Sequence, residues 1–251
     1  MPEVPVTPII WPWHNSKKSI ERLLREILQY VPSSQIIVVD DNSPDGTANE
    51  IKKYFAKDKR VTLIVREQKG GRGSAVIEGF KQGLRDKATE LFIEMDSDFA
   101  HKPSDLPKLI KKANEFDAVV ASRYLLKSQL LKWKFKRRVV SRFANLWIKL
   151  ILGITLTDNT SGFRCYRRRL IEAIDFNSIK SKGFIVLTEI SYQIYKKKVI
   201  FGQVPIDFIP VDLNKSNLNI KEIKEALFTV LRLKMNNFFK TERRSILESI
   251  N

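Results

Sequence analysis

The chain has 251 residues, 43% hydrophobic and 29% charged, enough to bury a full core and to read as globular. Its 45 basic and 28 acidic side chains leave a net charge of +17, a field that attracts nucleic acid, an anionic membrane surface or a phosphorylated substrate. One cysteine, Cys165, excludes an internal disulfide, and two histidines, His14 and His101, argue against a His-rich zinc site.

No stretch reaches the ~20 apolar residues of a membrane span; the best, Leu146 to Leu156, is short and interrupted by Lys149. No basic segment followed by an apolar run opens the chain, so no secretory signal is expected.

In chain order, Val6 to Trp11 reads as a strand, and Asn15 or Ser16 can cap a helix running to about Tyr30. Ile36-Ile37-Val38-Val39 is a β-branched run suited to a strand buried on both faces. It ends at the turn-rich loop Asp40 to Gly46, and Thr47 opens a helix to about Ala56. Val61 to Val65 is a third strand, followed by Gly70-Gly71-Arg72-Gly73 and a helix from Ser74 to Leu84. Those glycines can cradle a phosphate on backbone N–H groups or simply make a tight strand-to-helix turn; no complete P-loop is present. Leu91 to Met95 and Ala118 to Ala121 continue the series, with a helix from about Ser104 to Glu115 between them. Strands alternating with helices predict an α/β chain with a largely parallel central sheet flanked by helices.

Ligands of such sheets sit beyond the carboxyl ends of the strands. Two acidic pairs fall there, Asp40-Asp41 and Asp96-Ser97-Asp98. Paired hard oxygens one residue apart can hold a divalent cation against a diphosphate.

The last third differs. Leu130 to Leu152 mixes Trp133, Phe135, Phe143 and Trp147 with Lys132, Lys134, Lys136, Arg137, Arg138 and Arg142. That composition fits a bilayer surface, a nucleic acid or a core-packed helix with a solvated basic face. Asp158 to Arg164 reads as a polar loop. Glu189 sits in an apolar segment, where a carboxylate needs a partner or a solvent-facing helical position. Ile220 to Phe239 is amphipathic and Lys240 to Asn251 is a charged tail. The division expected is one domain over residues 1–215, with a C-terminal amphipathic helix and tail over 216–251.

In order along about residues 6 to 235, these strings resemble the family 2 glycosyltransferases of the GT-A fold. The resemblance is nearest to dolichol-phosphate mannose synthases and related polyprenyl-phosphate glycosyltransferases. It rests on Val38 to Thr47, Gly70 to Phe80, Met95-Asp96-Ser97-Asp98 with His101 and Pro103, and Ala121-Ser122-Arg123-Tyr124. Arg137-Arg138 with Ser141, Asp158 with Ser161-Gly162-Phe163-Arg164, and Gly183-Phe184 leading to Glu189 complete it.

The resemblance implies inverting, metal-dependent transfer of a sugar, mannose from GDP-mannose, to a polyprenyl or dolichyl phosphate. It implies Mg²⁺ or Mn²⁺ at Asp96 and Asp98, with Asp96, Asp98 and Arg123 as the catalytic residues. Donor contacts would come from Pro12, His14, Ser16, Val39 and Asp41, then from Met95, Ser97, the two aspartates and Arg123. Arg123, Arg137 and Ser141 would hold the acceptor phosphate. It also makes the aromatic-basic segment a membrane-facing helix rather than a nucleic-acid stripe. The implied protein is peripheral, on the cytoplasmic face of an anionic membrane, with room for a membrane-spanning subunit as partner.

Three departures accompany the match: Ser16 where the family carries an acidic donor contact, Ala100 where it carries a polar residue, and Val211 to Asn217 in place of an arginine-bearing loop. They keep two alternatives in view, another donor such as UDP-glucose, or a non-catalytic membrane-associated subunit with a degenerate transferase fold.

Overall fold

In a computed structural model of the chain, the described residues are 5–11, 16–126, 135–207 and 222–236. Seven strands form one sheet: β1 Val6–Trp11, β2 Ile36–Asp40, β3 Val61–Val65, β4 Leu91–Asp96, β5 Ala118–Ser122, β6 Arg164–Arg167 and β7 Phe201–Pro205. Their spatial order is β3-β2-β1-β4-β6-β5-β7. All pairings are parallel except those of β6, which runs antiparallel between β4 and β5.

The helices are α1 Lys17–Tyr30, α2 Thr47–Phe55, α3 Gly71–Gly83, α4 Leu106–Lys112, α5 Phe135–Leu152, α6 Arg168–Glu172, α7 Val186–Lys196 and α8 over residues 222–236. Helix α1 shows why the pattern folds as it does. Ile20, Leu23, Leu24, Ile27 and Leu28 repeat at helical spacing and are all buried against β-sheet residues such as Ile36, Val38 and Ile93. Phe80 of α3 packs on the other face with Phe92, Tyr166 and Ile190. A third cluster joins Ile148 and Leu152 of α5 to Tyr192 of α7 and Val230 of α8.

Several expected boundaries move. Helix α3 begins at Gly71 rather than Ser74, so Arg72 lies inside its first turn. The helix expected from Ser104 is a 3-10 turn over Pro103–Asp105 followed by α4, with proline at each start. Ser16 does occupy the N-cap position of α1, but its hydroxyl makes no cap bond. Strands β6 and β7 were not anticipated; β6 carries arginine at both ends and β7 is an edge strand containing Gly202 and Pro205. Residues 127–134, the Val211 to Asn217 loop and the Lys240 to Asn251 tail lie outside the described residues. Among those described, no helix is long and apolar enough to cross a membrane.

Candidate active site

Strand β4 alternates its side chains. Leu91, Ile93 and Met95 enter the main core, while Phe92, Glu94 and Asp96 face the α3 and α7 side. Asp96 therefore ends a buried strand with its carboxylate among charged groups. Arg72 of α3 donates through Nη2 to Asp96 Oδ1 at 3.1 Å. Burial pushes the Asp96 carboxyl up, but the guanidinium of Arg72, with Arg123 also contributing, outweighs it and holds the group below the usual carboxylate range. Asp96 keeps 23% of its side chain exposed although the Arg72 side chain keeps only 2%.

The backbone after Asp96 turns sharply. Phe99 takes a left-handed φ of 60°, and Asp98 Oδ1 accepts the Ala100 N–H at 2.9 Å. Ser97 Oγ shares a 2.7 Å hydrogen bond with Ser16 Oγ, tying the start of α1 to this turn. His101 Nδ1 accepts the Asp96 backbone N–H at 3.1 Å, and its ring stacks on Phe163 with centroids 5.0 Å apart. Burial lowers the imidazole to about 4, so His101 is neutral with its proton on Nε2.

Arg123 follows β5. Its Nε and Nη2 donate to Asp158 Oδ2 and Oδ1 at 2.6 and 2.7 Å, and Nη2 also reaches Thr160 Oγ1 at 2.7 Å. Burial alone would raise the Asp158 carboxyl, but Arg123 holds it below its usual range. Next to Arg123, the Tyr124 hydroxyl donates to Ser141 Oγ at 2.6 Å, and Asn145 Oδ1 accepts the Asn159 N–H at 2.6 Å. Helix α5 is thereby pinned to the 158–163 loop. Arg164 anchors the far side of that loop by donating to the carbonyls of Ser161, Asn159 and Leu187.

Of the expected site residues, Ser16, Asp96, Ser97, Asp98, Arg123 and Ser141 belong to this connected cluster. Val39 and Met95 spend their side chains on core packing, which leaves their backbones at the strand ends. Asp41 is ion-paired with Arg66 and accepts the Gly71 N–H at 3.1 Å. Pro12, His14 and the Arg137 side chain lie outside the described residues. Two N–H groups of the Gly70 to Gly73 turn are already used, that of Gly71 by Asp41 and that of Gly73 by the Lys182 carbonyl, as the tight-turn reading expects. The solvent-facing option for Glu189 is corrected. It is buried, accepts the Ser181 N–H at 2.9 Å and pairs with Arg232 of α8.

Sequence reasoning missed Arg72 and Asp158 Oδ geometry for different reasons. Arg72 hid inside a glycine-rich turn read for its backbone. Asp158 was legible as a turn residue and as part of the family resemblance, but not as the partner of Arg123, which lies 35 positions upstream.

The two carboxylates of one turn fit a hard divalent cation, which is commonly held by one or two carboxylates and completed by diphosphate oxygens and water. Among the described residues no cluster of three or more potential ligands exists, so a fully protein-caged metal is not what this donor set provides.

The family model described as Glycosyl transferase family 2 matches residues 9–175. The chain is 33% identical over 223 residues to the undecaprenyl-phosphate mannosyltransferase of Micrococcus luteus, covering 89% of this chain and 91% of that protein. It is 32% identical over 228 residues to the polyprenol monophosphomannose synthase of Mycolicibacterium smegmatis, covering 89% and 85%. Among solved structures, mannosyl-3-phosphoglycerate synthase from Rubrobacter xylanophilus superposes with a TM-score of 0.68 at 17% identity, covering 95% and 75% of the two chains. Glucosyl-3-phosphoglycerate synthase from Mycobacterium tuberculosis, crystallised with Mn²⁺ and uridine diphosphate, gives 0.64 at 16% identity over 92% and 79%. These likenesses show the GT-A fold.

Proposed function

The chain belongs to glycosyl transferase family 2 and is a glycosyltransferase, and from that premise we propose that it transfers mannose from GDP-mannose to a polyprenyl or dolichyl phosphate at an anionic membrane surface. The observation that carries this reading is the joining of Asp96, Arg72, Arg123 and Asp158 in one charge cluster at the end of β4. The two relatives named for polyprenyl-phosphate mannosyl transfer, each matched over 89% of this chain, support the substrate classes.

Asp96 and Asp98 would hold Mg²⁺ or Mn²⁺ against the donor diphosphate. Such a cation, when bound, supplies electrostatic stabilisation of the charge that develops on a leaving diphosphate. The chain's own residues do the rest. Asp158 and Thr160 fix the plane of the Arg123 guanidinium, which with Arg137 and Ser141 would orient the acceptor phosphate by charge-assisted hydrogen bonds. A phosphate oxygen is anionic at neutral pH and needs no general base, which accords with a buried neutral His101. In-line attack on the anomeric carbon inverts it, giving a β-linked product from an α-linked donor.

Helix α5 supports the membrane reading. Phe135, Val139, Phe143, Leu146 and Leu150 recur at helical spacing and are all exposed, while the helix contains five basic and no acidic residues. Apolar side chains beside cations on one helix are the signature of interfacial binding. Phe228, Leu231 and Met235 of α8 are exposed in the same way. No nucleic acid enters this reading.

The test is formation of lipid-linked sugar with Mg²⁺ or Mn²⁺ over a panel of nucleotide-sugars that includes GDP-mannose and UDP-glucose. The expected product is β-linked mannosyl lipid. Undiminished turnover in Asp98→Ala would overturn the metal role, and a preference for UDP-glucose would replace the donor. Absence of both transfer and nucleotide binding would favour the non-catalytic reading that Ser16 and Ala100 keep in view.

A further inference from the structure

Arg72 is the least expected charge in the molecule. It is 3% exposed, sits in the first turn of α3 and points its guanidinium between Glu94 and Asp96. A cation in the first turn opposes the helix dipole. Its Nη1 and the Glu94 Oε2 atom, 4.0 Å apart, both lack a hydrogen-bond partner among the described residues. Stability alone does not ask for such a group; a buried charge costs several kcal/mol to desolvate, and apolar residues of similar volume commonly serve as well.

The neighbourhood is nevertheless shaped around it. A Cβ on Gly162 would lie 2.5 Å from Arg72 Nη2 and 3.4 Å from Asp96 Oδ2. Gly162 is not among the residues with positive φ, so its lack of a side chain serves this approach rather than a left-handed turn. The next residue, Gly73, lets the first turn of α3 approach the Ser181 carbonyl, which a Cβ there would meet at 2.7 Å. The Phe184 ring stands 5.6 Å from the guanidinium carbon. Gly162 thus leaves room for one contact, Arg72 to Asp96, with an aromatic ring beside it.

We propose that Arg72 is a positioning residue for Asp96: it holds Oδ1 and so fixes the carboxylate plane in which Oδ2 meets the cation and donor diphosphate. The inference rests on the metal role given to Asp96 above. Partners that orient a ligand in this way typically govern metal affinity by about 10- to 100-fold.

The experiment uses the full chain and follows Mn²⁺ binding by electron paramagnetic resonance in the presence of GDP, with circular dichroism to confirm folding. Wild type should bind and Asp96→Ala should not. Arg72→Met and Gly162→Ala should each weaken binding about tenfold or more, and Arg72→Lys should recover part of the loss. If Arg72→Met unfolds because Glu94 is left uncompensated, Arg72→Met combined with Glu94→Gln carries the same expectation. A guanidinium that merely competed with the cation for Oδ1 would give the opposite sign. Unchanged or tighter Mn²⁺ binding in Arg72→Met and Gly162→Ala, with Asp96→Ala defective, overturns the positioning role and leaves the metal reading standing. Full binding by Asp96→Ala overturns the metal reading and the inference together.

Discussion

Replacing Leu146 and Leu150 with serine tests the membrane-facing assignment of α5 without touching the charge cluster. Both side chains are solvent-exposed, at 54% and 69%, on the face opposite Ile148 and Leu152. Complete burial of a leucine side chain is worth ~2 kcal/mol, so inserting the exposed portion of each would contribute about 1 kcal/mol. The double variant should therefore bind anionic vesicles about 30-fold more weakly, following about 2 kcal/mol of lost partition energy. Sedimentation with vesicles containing phosphatidylglycerol gives the partition coefficient directly. Thermal stability should hold or rise, because neither side chain belongs to the buried cluster. Transfer to a short-chain, water-soluble acceptor should likewise be preserved. Undiminished vesicle binding would refute the assignment, and loss of folding would show that the stripe packs inside the protein.

Other consequences follow from the buried charges. Asp158→Ala strips Arg123 of its bidentate partner in a site where the carboxylate is fully buried, and should cost about 3–5 kcal/mol in urea unfolding. Because the Asp158 carboxyl is held below its ordinary 3.8, its contribution is complete above that value and lost only as pH falls below it. Asp158→Asn should accordingly flatten the acid limb of the stability profile. Cys165 is fully buried, with its thiol pushed up to about 12, so the native protein should resist alkylation at pH 8 and react only after denaturant is added. Mn²⁺ alone should bind weakly, since two carboxylates of one turn leave most of its coordination to be completed by a diphosphate and water. Saturating GDP should tighten Mn²⁺ binding by at least about tenfold, as opposite charges ~4 Å apart attract by about 4 kcal/mol near a protein surface. Equal Mn²⁺ affinity with and without GDP would refute the shared-site argument.

The sheet was legible where burial is two-sided and continuous. Ile36 to Val39 and Leu91 to Met95 can be little but central strands, and the acidic pairs at their ends pointed to one edge of the sheet. β6 was hidden because it is short and its apolar residues are only Cys165 and Tyr166, beside an Arg164 whose burial is compensated by carbonyls. Helix α7 was hidden similarly, since Glu189 looked like a reason to expect solvent and is instead satisfied by Ser181 and Arg232, 43 residues downstream. The aspartates proposed to hold the cation could be read locally because both lie in one turn. Arg72, Gly162 and Asp158 could not, because each acquires its meaning from a residue at least 24 positions away.

The same long-range contacts join the outer helices to the charge cluster. Glu225 of α8 accepts the Lys182 N–H at 2.9 Å, and Glu189 accepts that of Ser181. The carbonyls of those two residues in turn pack against Gly73 and Gly71, the neighbours of Arg72. On the opposite flank, Ser141 and Asn145 of α5 bind Tyr124 and Asn159, the neighbours of Arg123 and Asp158. The two helices with exposed apolar faces are therefore each tied by one or two hydrogen bonds to the sequence neighbour of an arginine of the cluster. On the proposed membrane reading, seating those faces on a surface would fix the height of the arginines above it. An acceptor whose phosphate lies at that surface would then be met by groups held at a set depth.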